Sequence, residues 1–574
     1  MVSTVPALFF DQVRKRGAEL ALRHKEQGIW RRVTWREYGE RVEAVASALV
    51  SFGLCRGENV AILGDNRPEW LYCHLGTMAA GGSTCGLYPS SSPEQIEYLL
   101  GHCEARVLFL ENEEQLEKVL PVLPRTRVER AVVWDPKGLW GFADPRVCLF
   151  EAFLRERRAG VVEERVAAAA AEDTAMIIYT SGTTGPPKGA MLSHANILAV
   201  SSALLERYPL TPEDEAISCL PFAHVYENLI SVFQAVRVGY VVNFVERPET
   251  LLQNLREVSP TYFAHVPRLW EKLASGIDLH MRDSTPLKRA AYRWAMGAKR
   301  TRRLADLLVL RPLRWQLGLD RVRLAICGAA PASPELFEFY RSLGVPLVEG
   351  YGQTEASGAI AVDRLETPRP GTVGEPLAGV EVKLAEDGEI LTRGPQVFKG
   401  YFKDPALTAC TIDSEGFLHT GDLGAWEGGR LRIVDRKKDI IVTAGGKNVT
   451  PAYIENKLKF SPYIQDAIVV GDRRKFIVAL ILIDDENVTR FAQDHRIPFG
   501  TFADLTREAE VVKLISREVD KVNRTLSQVE SVKKFALLPR RLYEEDGDVT
   551  PTRKVKRRSI EARYAELITS LYGE

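Results

Sequence analysis

The 574-residue chain lacks the marks of several broad protein classes. Its eight cysteines (Cys55, Cys73, Cys85, Cys103, Cys148, Cys219, Cys327 and Cys410) form no C-x-x-C pair and no His/Cys cluster of metal-ligand spacing, which excludes a disulfide scaffold and a zinc module. They read as reduced, mostly core residues of a cytosolic protein. No stretch is apolar for the length that a bilayer span needs, and MVSTVPALFFDQVRKRGAEL puts no basic segment ahead of an apolar one, so neither a spanning helix nor a secretion signal is expected. Net charge is also missing as a signal: 76 Lys+Arg balance 76 Asp+Glu, so no global field recruits nucleic acid or an anionic membrane. No internal repeat or low-complexity tract stands out.

At 45% hydrophobic and 26% charged residues, a chain of this length is too apolar for disorder and too long for one core. The first third alternates an amphipathic WREYGERVEAVASALVSFGL with short apolar runs, NVAILGDN, VLFL and AVVW, and a helix is expected to open near Pro68. This is an α/β pattern. After Arg430 the runs GRLRIVD and DIIVTAGG are separated by a short charged connector, and smaller α+β patterns follow. A boundary within 436–438 is therefore expected, dividing residues 1–436 from residues 437–574.

Chemistry is concentrated in a few places. AMIIYT runs into Thr180, Ser181, Gly182, Thr183, Thr184 and a Gly-Pro-Pro turn ending at Lys188, and then into the helix-like HANILAVSSALLERY. Small residues, hydroxyls and a lysine suit a phosphate loop, with a surface turn as the plain alternative, and the strand–loop–helix order would present backbone N–H groups to an anion. The spacing is not that of a Walker A loop. In GYGQTE, Tyr351 beside Gly352 offers a flat ring, Gln353 and Thr354 follow, and Glu355 is a hard carboxylate; a turn entering a helix is the alternative. Asp422 follows a Thr-Gly turn. His224 lies in LPFAHVYE, where a satisfied half-buried histidine is the ordinary reading. Lys554 stands in a basic run that by default is a solvated face.

Taken in order, YTSGTTGPPKGAMLSH, LPFAHVYE, GYGQTE, HTGD, VDRKKD and PTRKVKR resemble the motifs of the adenylate-forming enzymes, the superfamily of acyl-CoA synthetases, peptide-synthetase adenylation domains and beetle luciferases. The resemblance spans roughly residues 30–558. It implies a large N-terminal domain of mixed sheets flanked by helices plus a distorted barrel, followed by a small mobile α+β domain. It also assigns roles. Tyr351 would stack on adenine opposite Gly328, Ala329 and Ala330, Thr354 would bond the α-phosphate, Glu355 would hold Mg²⁺, and Asp422 and Arg436 would hold the ribose. His224 would shape the carboxylate site, and Lys554 would bridge carboxylate and α-phosphate. Lys438 would be the hinge, with Gly445, Gly446 and Lys447 lining the path of coenzyme A. Arg553 replaces the glycine that many members carry before the lysine.

The resemblance implies ATP, Mg²⁺ and CoA as cofactor or co-substrates. The stretch ETLLQNLREVSPTYFAHVPRLWEKL and the basic segment after it are similar to the long-chain branch, so a long-chain fatty acid is the expected acid. The rivals are an acyl-AMP ligase loading an acyl-carrier protein, a medium-chain or aryl acyl-CoA ligase, and a non-catalytic scaffold of the same fold. A cytoplasmic location is expected. Residues 288–323, basic with Trp294, Trp315 and leucines, read either as solvated helices packed on the body or as a peripheral contact with the inner face of the membrane. A homodimer stays open.

Overall fold

The computed structural model describes residues 3–156, 158, 160–180, 186–544, 546–550 and 554–573. Among them the strands build two large sheets and three small ones. The eight-stranded sheet has a parallel centre formed by Asn59–Leu63, Ser83–Leu87 and Val107–Leu110. All three strands are fully buried, as the apolar runs VAIL and VLFL of the first and third require. The nine-stranded sheet runs through Glu215–Ser218, Tyr262–His265, Leu324–Cys327 and Leu347–Tyr351, all parallel. The helices Trp35–Ser51 and Pro68–Ala79 appear where the amphipathic pattern and Pro68 place them, the first opened by a reciprocal capping box between Thr34 and Glu37.

The component expected as a distorted barrel is built on a four-stranded antiparallel sheet in the order Glu381–Leu384, Glu389–Arg393, Leu418–Glu427, Arg430–Arg436. Past Arg436 come a turn, a small hairpin of Ile441–Val442 with Asn448–Val449, and a three-stranded sheet centred on the wholly buried Ile477–Ile483. The eight cysteines are all unpaired, and only Cys55 and Cys410 are exposed. No helix of the described residues is long and apolar enough to cross a membrane.

One expectation is corrected. The Gly/Thr/Pro segment does not run from strand to helix: it joins Thr174–Thr180 to an antiparallel strand, Lys188–Ser193, and the helix His194–Arg207 starts only after that. The short run KGAMLS is mostly buried and pairs with the apolar strand before it, so ladder hydrogen bonds win over early helix formation. Thr180 and Lys188 are register partners, so they close the base of a hairpin loop.

The layer next to the cleft is tied by the helix Pro267–Arg282, whose Trp270 carbonyl accepts from the Tyr340 hydroxyl at 2.6 Å while the two rings meet edge-on at 5.0 Å. Tyr340→Phe should lower stability by about 1 kcal/mol, and Tyr340→Ala by about 3–5 kcal/mol through the added cavity. Urea unfolding checks this; a Phe variant as stable as the parent would show that the hydroxyl contributes nothing.

Candidate active site

The cleft is assembled from four chain segments. The first is anchored by a buried carboxylate: Glu227 accepts from Ser218 Oγ at 2.6 Å, Ser231 Oγ at 2.5 Å and the Leu220 backbone N–H at 3.0 Å. Burial pushes its carboxyl up to about 7. Phe222 stacks on Trp70 at 4.7 Å. Between these anchors, half-buried His224 caps a short helix by accepting from the Tyr226 N–H at Nδ1, 3.2 Å away. An accepting Nδ1 puts the neutral ring's proton on Nε2. Burial and the charge of Lys554 hold the ring neutral by pulling its pKa down to about 4.

The second segment is the strand Leu347–Tyr351 and the turn after it. Gly352 is required there, because a Cβ would stand 2.3 Å from the Gly358 carbonyl oxygen. A Cβ on Gly328 would stand 3.0 Å from the Gly350 carbonyl, so the loop carrying Gly328, Ala329 and Ala330 lies directly against the strand carrying Tyr351. Ala329 has a φ of 66°, which marks a strained turn out of the strand Leu324–Cys327. Gln353 Nε2 is a buried donor without a partner among the described residues, and Thr354 is buried behind it.

The third segment supplies a residue that sequence reasoning missed. Tyr401 sits on a two-residue strand paired with Lys188–Ser193, and its hydroxyl donates to Glu355 Oε1 at 2.7 Å while its ring lies 5.6 Å from Lys188 Nζ. One tyrosine thus joins the base of the Thr180–Lys188 loop to Glu355. No local pattern marks it, since its partners are far away in sequence. Ser181, Gly182, Thr183 and Thr184 lie outside the described residues.

The fourth segment is the hairpin carrying Asp422 and Arg436, which are direct cross-strand partners. Asp422 is buried; its Oδ1 pairs with Arg436 Nε at 3.1 Å and its Oδ2 accepts from the Tyr351 hydroxyl at 2.8 Å. Against this group stands Lys554, from the far end of the chain. It is reached by solvent yet crowded by protein on the cleft wall. Desolvation and the Arg436 charge push its pKa down to about 8, against the opposing pull of Asp422. Lys554, His224, Asp422, Arg436 and Tyr351 are therefore neighbours.

Of the residues expected as hinge and CoA loop, Lys438 lies within the field of Arg436 and Asp422, whereas the loop is placed elsewhere. Lys438 lies exposed in the turn after Arg436. Gly445, Gly446 and Lys447 form an exposed loop with its own bonds, Gly446 N–H to the Thr443 carbonyl at 2.8 Å and Thr443 N–H to the Lys447 carbonyl at 3.0 Å; a Cβ on either glycine would meet nothing. The structure does not bring this loop to the cleft. Nor does any group of three or more His, Cys, Asp or Glu converge as a metal site among the described residues. The other oxygen of Glu355 has no hydrogen-bond partner among those residues, which fits Mg²⁺ held by one carboxylate with substrate phosphates completing its shell.

Residues 9–402 match the AMP-binding enzyme family, and residues 438–574 match the AMP-binding enzyme C-terminal domain. The chain belongs to the AMP-binding enzyme family. Among its relatives, the long-chain-fatty-acid–CoA ligase FadD15 of Mycobacterium bovis is 33% identical over 99% of this chain and 97% of its own. The long-chain-fatty-acid–CoA ligase ACSBG2 of Homo sapiens is 30% identical over 99% and 92%. The fold of this AMP-binding enzyme is that of the A domain of the carboxylic acid reductase from Segniliparus rugosus, solved in complex with AMP and a co-purified carboxylic acid (TM-score 0.79, 21% identity, 99% of this chain and 94% of that one). ATP-bound MatB from Rhodopseudomonas palustris is also similar (TM-score 0.70, 22% identity, 99% and 100%).

The arrangement around Lys554 makes its titration a direct test of the site. Arg436 lowers its pKa and Asp422 raises it, so Arg436→Ala should move the apparent pKa up from about 8 and Asp422→Asn should move it further down. The pH dependence of Lys554 modification by an amine-reactive reagent, read by mass spectrometry, gives the value. An ordinary lysine titration in the parent protein would place Lys554 away from this cluster.

Proposed function

We propose that this protein is a long-chain fatty acid–CoA ligase, which forms an acyl-adenylate and pyrophosphate from a fatty acid and ATP and then transfers the acyl group to coenzyme A. The observation that carries the reading is the meeting of Lys554, near the end of the chain, with His224, Asp422 and Arg436 at one cleft. The names of relatives matched over nearly their full length support the acid and the acceptor.

In the first step a carboxylate oxygen attacks the α-phosphorus, the bond to the bridging oxygen breaks, and pyrophosphate leaves with the electron pair. Little covalent work falls to the protein, so positioning and charge stabilisation dominate. Lys554 places its cation between carboxylate and α-phosphate, where negative charge builds. His224 directs its Nε2 proton at the carboxylate side, and Thr354 bonds the α-phosphate. Lys188 and the loop from Thr180 neutralise the outgoing phosphates. Tyr351 stacks on adenine with Gly328, Ala329 and Ala330 opposite. Asp422 keeps acceptor capacity for the ribose, since each carboxylate oxygen has a further lone pair beyond those used by Tyr351 and Arg436. Mg²⁺ held by Glu355 would offset phosphate charge.

In the second step the CoA thiol attacks the acyl carbon, the acyl–oxygen bond to phosphate breaks, AMP leaves, and the thiol proton passes to solvent. Lys554 must first withdraw. Rotation of residues 437–574 about Lys438 removes it and carries the Gly445–Lys447 loop to the cleft. A ligase that loads an acyl-carrier protein would share the first step only.

Pyrophosphate exchange into ATP should require a long-chain acid, and Lys554→Ala should slow it by about 100- to 1,000-fold. Thioester formation from preformed acyl-AMP should fall far less. Equal loss of both half-reactions would remove the two-orientation mechanism, and adenylate formation without any CoA product would favour the carrier-protein reading.

A further inference from the structure

Six large apolar side chains stand exposed within a single run of the chain: Leu287 (81%), Trp294, Leu304, Leu307 and Leu308 (60% each) and Trp315 (68%). They lie on the helix Pro286–Gly297 and on the continuous helical stretch formed by Arg302–Ala305, Asp306–Leu310 and Arg311–Leu317. The inner side of these helices is satisfied, since Ala295, Ala305 and Leu310 are buried in one cluster with Trp270 and Tyr340. The second stretch turns Leu304, Leu307, Leu308 and Trp315 outward at spacings of three, four, seven and eight, which is one helix face. Packing on the body therefore accounts for the inner stripe and leaves a second apolar stripe facing solvent.

Exposed cations are interleaved with that outer stripe. Arg300, Arg303 and Arg311 flank it, and Lys288, Arg289 and Arg293 continue it along the first helix. None of their side chains forms an ion pair with a described residue. The acid on the same helical stretch, Asp306, pairs with the buried Arg314 at 2.7 Å and leaves only its weaker field for Arg302 and Arg311. A merely solvated face would carry acids to offset these charges and would not hold leucines open to water.

We propose that this face docks the protein on an anionic lipid surface. Arginine and lysine among leucine and tryptophan is the pattern of helices that lie in the bilayer interface, with the apolar side chains entering the headgroup boundary and the cations meeting lipid phosphates. A second copy of the chain fits less well, because apposing two such faces would bring unpaired cations together. Nucleic acid would use the charge but not the leucines. The buried cluster beneath the face contains Phe263 and Cys327, whose strands lead directly into His265 and Gly328. The docking face and the cleft are thus two sides of one layer. The proposal does not rest on the acyl-chain reading above.

Flotation of the full chain with phosphatidylcholine vesicles, with and without phosphatidylglycerol, tests it. Binding to the anionic vesicles that weakens with salt is expected. The double variants Leu307→Asp/Leu308→Asp and Arg300→Glu/Arg303→Glu should each float about tenfold less. Trp140→Asp, at an exposed tryptophan elsewhere, should float like the parent, and circular dichroism should show all three folded. No binding to anionic vesicles would overturn the proposal. So would loss on charge reversal alone, which would leave a plain polyanion patch, or a dimer in sedimentation that the Leu307→Asp/Leu308→Asp variant abolishes.

Discussion

Asp422 is the group on which the cleft depends, because it is the largest of the anionic influences on Arg436 and it also favours the charge of Lys554 beside it. Desolvation first and the facing Arg436 cation second depress the pKa of Lys554, since both penalise its charged form. The buried carboxylate opposes this through contact with Arg436 and through its field at Lys554. It also receives the Tyr351 hydroxyl, so charge balance and ring position are set by the same two oxygens. A cation crowded by protein on one side is less screened there than in bulk water, and it attracts an incoming carboxylate and phosphate more strongly on that side.

The precision of that cluster comes from backbone register. Asp422 and Arg436 face one another because Leu418–Glu427 and Arg430–Arg436 pair antiparallel around the Gly428–Gly429 turn, where both glycines have positive φ. A one-residue slip would send one of the two side chains to the other face. Tyr351 arrives from a different sheet, and Glu355 is steadied by Tyr401 from a third stretch of chain. The site is therefore a meeting of sheet ends, in keeping with the way open α/β sheets bind ligands outside the carboxyl ends of their strands.

Much of this was legible in the residues, and the limits are physical. The helix Trp35–Ser51 and the strands Asn59–Leu63 and Val107–Leu110 could be read because their apolar spacing states their own burial. The strand Lys188–Ser193 could not, because a six-residue run before a good helix start takes its conformation from a neighbour, not from its own propensity. Tyr401 and Glu227 escaped notice for a related reason: each acts through partners that only the fold supplies. The outward leucines at 304, 307 and 308 were visible as apolar residues in a basic stretch, but their exposure depends on which stripe of the helix the core takes first.

The proposed chemistry needs the residues beyond Lys438 to leave their present seat, and many of the contacts across that seat suit such a departure. The ladder ends at Arg436; Lys437 is still tied, its N–H to the Gly421 carbonyl at 3.0 Å and its ammonium to Asp387 and Glu389. Rotation at Lys438 therefore leaves the ribose-side residues undisturbed. Beyond it the two units meet through polar pairs, Lys457 with Glu335 at 2.8 Å, Arg490 with Asp283, Lys272 with Glu486 at 3.7 Å and the Ala452 N–H with Asp435 at 3.1 Å, together with Leu279 packed on the C-terminal core and Arg282 over Tyr463. Partly exposed ion pairs of this kind contribute about 0–1 kcal/mol each, and water takes over their bonds once they part. A sealed apolar seam would expose its whole area to water on opening, whereas the ion pairs of this one exchange their partners for water and add little to the cost.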